Sequence, residues 1–136
     1  MNAQEVMTSD PYVASVSTTI REAFRIMSEA NIRHLPIVDE QALVGIVSDR
    51  DVRAAIPNAL EQLERPEEVS RALSRPITAL LNTDVVSVNP ESELAEVVDL
   101  MLEHKIGAVP VVEADSLKLL GIVSYVDVLR AARDSL

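Results

Sequence analysis

Apolar residues along this chain alternate between a period of two and a period near 3.6, and the whole alternation runs through the sequence twice. The first pass opens with a short Val-rich strand, Val13-Ala14-Ser15-Val16-Ser17. A helix from about Thr19 to Ala30 follows, with Ile20, Ala23, Phe24 and Met27 on one stripe. Next come the apolar run Ile32-Arg33-His34-Leu35-Pro36-Ile37-Val38, a turn around Asp39-Glu40-Gln41, and a strand ending in Gly45-Ile46-Val47. A last helix starts at Ser48. The second pass repeats this order. It has Val85-Val86-Ser87-Val88-Asn89, then a helix from about Ser92 to His104 signalled by Asn89-Pro90-Glu91, with Leu94, Val97, Val98 and Met101 on its stripe. Ile106-Gly107-Ala108-Val109-Pro110-Val111-Val112, a turn at Glu113-Ala114-Asp115, Gly121-Ile122-Val123 and a helix from Ser124 complete it. The prolines in the middle runs remove a ladder donor and predict edge strands or irregular strand entries there.

Each pass therefore reads β-α-β-β-α. The expected organisation is a first repeat at residues 1–56, a partly helical linker at 57–76 with helical stretches Ala59–Glu64 and Glu67–Arg75, and a second repeat at 77–136. Two copies favour a closed pair over an extended array. A three-stranded sheet cannot cover both of its faces alone, so the two repeats are expected to pack together as an α/β (α+β) fold.

Composition narrows the function classes. Only Phe24, Tyr12 and Tyr125 are aromatic, so the core is aliphatic, and the absence of Cys excludes disulfides, thiolate metal sites and a Cys nucleophile. A net charge of −10 argues against nucleic acid as a partner. No basic segment leads into a long apolar run, and no stretch approaches the ~18 apolar residues of a membrane span. A soluble, cytoplasmic protein without membrane partners is expected.

The chemistry concentrates where the last strand of each repeat meets its last helix. Gly45-Ile46-Val47-Ser48-Asp49-Arg50-Asp51 recurs as Gly121-Ile122-Val123-Ser124-Tyr125-Val126-Asp127. An Asp carboxylate can accept both hydroxyls of a ribose, and a helix N-terminus offers amides and a positive dipole end to phosphate. The bland reading is also physical: Ser-x-x-Asp is a capping box with Asp in place of Glu, worth ~1 kcal/mol with no ligand at all.

The Pro-containing runs Ile32–Pro36 and Ile106–Pro110, with the two Gly-x-x-Ser-x-x-Asp junctions in the same order twice, resemble a tandem pair of CBS domains, the cystathionine-β-synthase-type regulatory repeat. The chain is also similar to small stand-alone bacterial CBS proteins, including the acetoin-utilisation group. The resemblance implies a pseudo-twofold pair with two clefts for an adenosine compound: AMP, ADP or ATP, or alternatively S-adenosylmethionine or NAD. It also implies a homodimer formed through helices. Carried onto this sequence, it places Asp127 and Ser124 with Ala14, Ile32, Arg33, His34 and Pro36 in one cleft. Asp51, Ser48 and Arg50 share the other with Val86, Ile106, Gly107, Ala108 and Pro110. Core packing is the competing reading for the apolar members.

The two sites are not equivalent. Arg33-His34 becomes Gly107-Ala108, and Arg50 becomes Val126. Basic residues at the Arg33-His34 position contact phosphate in the nucleotide-sensing kinase γ-subunits of this fold, which suits the Asp127 cleft to an anionic ligand. Arg50 stands just inside a helix N-terminus, where the dipole disfavours it, and a bound anion would explain it; pairing with surface acids is the alternative. His34 has the range to modulate phosphate binding near neutral pH. His104 reads as a favourable charge at a helix end, and Met27 and Met101 read as core. Neither histidine has metal-ligand spacing, and Ser48 with Asp51 lacks a base between them, so neither a metal nor catalysis is expected. Two readings stay open: a sensor whose ligand occupancy is relayed to a regulated protein, and a dimeric adaptor with vestigial clefts.

Overall fold

The computed structural model describes residues 1–81 and 84–136. Its contacts sort them into two compact units whose boundaries differ from those of the sequence repeats. One unit joins Tyr12–Asp39 to Val44–Thr83; the other joins Met1–Pro11 and Glu40–Leu43 to Asp84–Leu136.

In the first of these, β2 (Ala14–Ser15) runs parallel to β3 (His34–Asp39), with Ala14 opposite Ile37, and β4 (Ala42–Ser48) lies on the other side of β3. The expected first strand is thus only two residues long. Between β2 and β3 lies α2 (Ile20–Ala30), whose N-cap Thr19 accepts from the Glu22 amide and whose C-cap Asn31 is left-handed. The β3–β4 hairpin turns through Glu40 and Gln41, both at positive φ. α3 (Asp49–Ala55), α4 (Ala59–Glu64), α5 (Pro66–Leu73) and a 3-10 turn, Ile77–Leu80, complete the unit. Pro66 opens α5, where its missing donor costs nothing.

The core of this unit is Ala14, Ile20, Ala23, Met27, Leu35, Ile37, Val47, Val52 and Ile77. Burying each of the larger aliphatic side chains contributes about 1.5–3 kcal/mol. Phe24 shares a helical face with them by sequence, yet it is 42% exposed. Ile77 comes from beyond the helical linker: its amide donates to the Thr18 carbonyl at 2.7 Å, and the Ile20 amide donates to Arg75 at 2.9 Å. The segment after α5 is therefore stitched along the start of α2.

The other unit begins with two elements that periodicity does not reveal. α1 (Ala3–Val6) is closed by an Asn2/Glu5 capping box. β1 (Thr8–Ser9) pairs antiparallel with β6 (Leu119–Ser124), setting Thr8 opposite Ile122 and Ser9 opposite Gly121. On the other side of β6 lies β5 (Ala108–Val112). α6 (Leu94–His104) precedes β5 and α7 (Tyr125–Ser135) follows β6. The core is Ala3, Val88, Val97, Val109, Val111 and Val123.

The expected strand at Val85–Val88 is reduced to a parallel bridge between Val88 and Val111. Its geometry explains how a proline fits the neighbouring strand. Val88 donates to the Pro110 carbonyl at 3.0 Å and accepts from the Val112 amide at 2.8 Å. The backbone groups of Pro110 therefore face this short neighbour, and the β5–β6 ladder needs no donor from it. Ala14 opposite Ile37 puts Pro36 in the same register. Pro36 thus lies in β3, the central strand of its sheet, not at an edge; only a ladder that lasts two residues runs beside it. The fold is mixed α/β, each unit built on a small three-stranded sheet.

Candidate functional site

In each unit the last strand delivers a serine in extended conformation to a helix N-terminus. Ser48 (φ −98°, ψ 163°) and Ser124 (φ −97°, ψ 165°) both cap their helices. The Asp51 amide donates to Ser48 Oγ at 3.1 Å, and Asp51 Oδ2 accepts from the Ser48 amide at 3.0 Å. The second junction repeats this, with the Asp127 amide 3.3 Å from Ser124 Oγ and Asp127 Oδ2 2.9 Å from the Ser124 amide. Both motifs are therefore capping boxes. The remaining lone pairs of the carboxylates decide what else they can do.

A further bond ties each helix start to its own repeat. The Asp49 amide donates to the Arg33 carbonyl at 2.8 Å, and the Tyr125 amide donates to Gly107 at 2.9 Å. This consumes a first-turn amide that a phosphate would otherwise meet. It also collects Arg33, His34, Ser48, Arg50 and Asp51 around one junction, and Gly107, Ala108, Ser124 and Asp127 around the other. Among the apolar candidates, Ala14, Pro36, Ala108 and Pro110 are buried in their units, while Ile32, Val86 and Ile106 pack against the cores.

The two carboxylates live differently. Asp51 is exposed; among the described residues its carboxylate holds only the Ser48 amide. Asp127 is 6% exposed. Its oxygens also accept from Ser124 Oγ at 3.1 Å and from Thr8 Oγ1 at 3.3 and 3.4 Å, and Arg130 lies 3.5 Å away. Thr8 is the site residue that sequence reasoning missed. The signal for its surroundings was the Asn2-x-x-Glu5 capping pattern, which fixes α1 and hence the position of β1.

His34 sits half-buried at the start of β3. Burial pushes its pKa below the ordinary 6.5, with Arg33 acting in the same direction and Asp49 and Asp51 opposing. The ring is therefore neutral at pH 7 and can serve as one donor and one acceptor. Arg33 and Asp49 also line a groove of about 540 Å³ beside α2 and α3, together with Phe24, Met27, Asn31 and Arg53. Among the described residues, no group of three His, Cys, Asp or Glu side chains is placed to hold a metal, and no helix is long and apolar enough to cross a membrane.

Two capped strand–helix junctions, one with an exposed carboxylate and one with a buried carboxylate, recur in one chain and make it a tandem-repeat module in class. A family model described as CBS domain matches residues 3–58 and again 77–134, and the chain belongs to that family. A solved structure of a putative acetoin utilization protein (AcuB) from Vibrio cholerae is 36% identical, with 98% of this chain and 91% of that one covered at a TM-score of 0.79. CBSX2 of Arabidopsis thaliana, solved in complex with AMP, is 30% identical over 98% of this chain and 96% of its own, with a TM-score of 0.80. The CBS domain pair of protein MJ0100, solved in complex with 5′-methylthioadenosine and S-adenosyl-L-methionine, is 26% identical over 100% and 98%, with a TM-score of 0.79.

Proposed function

We propose that this CBS pair is a regulatory module that takes up an adenosine-containing ligand and passes its occupancy to a partner protein. The observation that carries the reading is Asp51. It is an exposed carboxylate to which, among the described residues, the Ser48 amide alone donates, and it lies beside Arg50 and His34. Vicinal ribose hydroxyls are the ligand groups that two adjacent acceptor oxygens suit best. With a first-turn amide of each helix already bonded, the cation beside Asp51 that a phosphate would meet is Arg50.

AMP in CBSX2 and the two adenosine compounds in MJ0100 support the ligand class. AMP, ADP and ATP are the first candidates, with S-adenosylmethionine and NAD behind them. The role read here is regulatory, since each junction engages its serine and carboxylate in capping a helix. A homodimer formed through the helices is the assembly in which occupancy would be read.

Titrating AMP, ATP and S-adenosylmethionine into the wild-type chain and into a variant combining Asp51→Ala with Asp127→Ala tests this by calorimetry. Saturable heat in the wild type and its loss in the variant are expected. If neither protein gives heat with any of the three, the adaptor reading replaces the sensor.

A further inference from the structure

The outward stripes of α2 and α6 occupy the same places in the two repeats and carry opposite characters. In α2 the stripe is Phe24, Arg25 and Ser28; in α6 the matching residues are Val98, Asp99 and Leu102. Spacings of three and four residues set each trio on one side of its helix. Leu102 is 72% exposed. Its place in α2 is taken by Ser28, which lines the groove beside α2 and α3 with Phe24, Arg33, Asp49 and Arg53. Arg53 is matched in turn by Leu129 of α7, which is exposed as well. One unit thus offers a recess holding two arginines to one acid, and the other offers protruding leucines and an aspartate.

Charge separates the possible partners of these stripes. Glu22 and Glu29 of α2 recur as Glu96 and Glu103 of α6, so the change from Arg25 to Asp99 leaves α6 with three exposed acids along its length. Two α6 helices set face to face would oppose those acids, and two α2 helices would oppose their Arg25 side chains. Setting α2 against α6 pairs Arg25 with Asp99 instead. Like charges across an interface cost far more than exposed pairs gain, so they select the register. Each of the two residues is the sixth of an eleven-residue helix, so they meet at the midpoint whichever way the helices run.

We propose that α2 of one copy docks on α6 of a second copy, so that the homodimer joins unlike units. The pairing rests on the homodimer reading and goes beyond it by naming the faces that meet. Each copy carries one face of each kind, so a twofold dimer forms the contact twice, with two Arg25–Asp99 pairs.

Sedimentation equilibrium and cross-linking of the full chain test it. The wild type is expected to be a dimer. Arg25→Glu and Asp99→Arg should each raise the dimer dissociation constant by about tenfold or more, because each substitution sets two like-charged pairs across the interface. The variant carrying both should recover the affinity of the wild type, which a misfolded chain could not do. If like helices pair, each single substitution leaves like charge against like and dimerisation is unchanged. The chain has no cysteine, so Arg25→Cys and Asp99→Cys each supply a unique thiol. A short bis-maleimide should join the two cysteine variants when they are mixed, and should join neither to itself. Self-linking of either variant, single charge reversals without effect, or a double reversal no tighter than the singles overturns the pairing and leaves the homodimer in place. A wild type that stays monomeric overturns the homodimer reading and the pairing together.

Discussion

Gly121 and Met7 lie against each other so closely that a β-carbon on Gly121 would stand 2.5 Å from the Met7 sulfur and 2.8 Å from the Thr8 carbonyl oxygen. The glycine is there for space and not for backbone freedom, since no glycine of the described chain has positive φ. Gly121→Ala should therefore push β1 off β6 and cost about 1–3 kcal/mol. Gly45→Ala meets only the tip of the Leu81 side chain, which can rotate away, and should cost less. Chemical denaturation of both variants checks the order.

The two capping aspartates should separate in the same kind of measurement. Asp51→Ala removes an exposed cap and is expected to cost about 1 kcal/mol. Asp127→Ala strips a buried carboxylate from four donors and should cost more, on the order of 2–3 kcal/mol. Equal losses would mean that the extra bonds at Asp127 contribute nothing.

His34 gives a pH dependence with a definite sign. Its folded pKa is lowered chiefly by burial, so the unfolded chain binds more protons as pH falls. The stability tied to the neutral ring is fully present above the ordinary value of 6.5 and is lost as pH drops toward the lowered folded value. Melting temperatures of wild type should fall more steeply from about pH 7 to about pH 5 than those of His34→Gln, which cannot titrate. Parallel curves would contradict it.

Lys105 ends α6 in the left-handed region at φ 55°, as Asn31 ends α2 at φ 54°. A side chain with a β-carbon pays for that conformation, and asparagine pays less than lysine. Lys105→Gly should raise stability by about 1 kcal/mol, and Asn31→Gly should gain less. Thermal unfolding of the two variants decides.

The sequence shows most clearly what is periodic and local. The helix expected from Thr19 begins one residue later because Thr19 is its cap, and the stretch Ala59–Glu64 forms α4 with those ends. Ser48 and Ser124 sit where their motifs put them. Four-residue α1 and two-residue β1 have no period to detect, and β1 exists only because β6 supplies its partner from the far end of the chain. That is why Thr8 was invisible as a neighbour of Asp127. Pro36, expected at an edge or an irregular strand entry, lies in a central strand, because the rule against proline there assumes a full-length ladder on both sides and β2 is too short to provide one. Phe24 faces outward although its spacing matches the buried stripe, since helical spacing fixes a face only to within the width of one side chain.

The pairing of β1 with β6 also orders events on the ribosome. Thr8 and Ser9 are made well before their ladder partners Ile122 and Gly121. The unit formed by Tyr12–Asp39 and Val44–Thr83 can complete its core while the rest of the chain is still being synthesised. The N-terminal segment must wait, unpaired, until β6 emerges. A chain stalled before residue 119 would therefore present a folded first half and a free leading strand, with its Thr8 hydroxyl still in water.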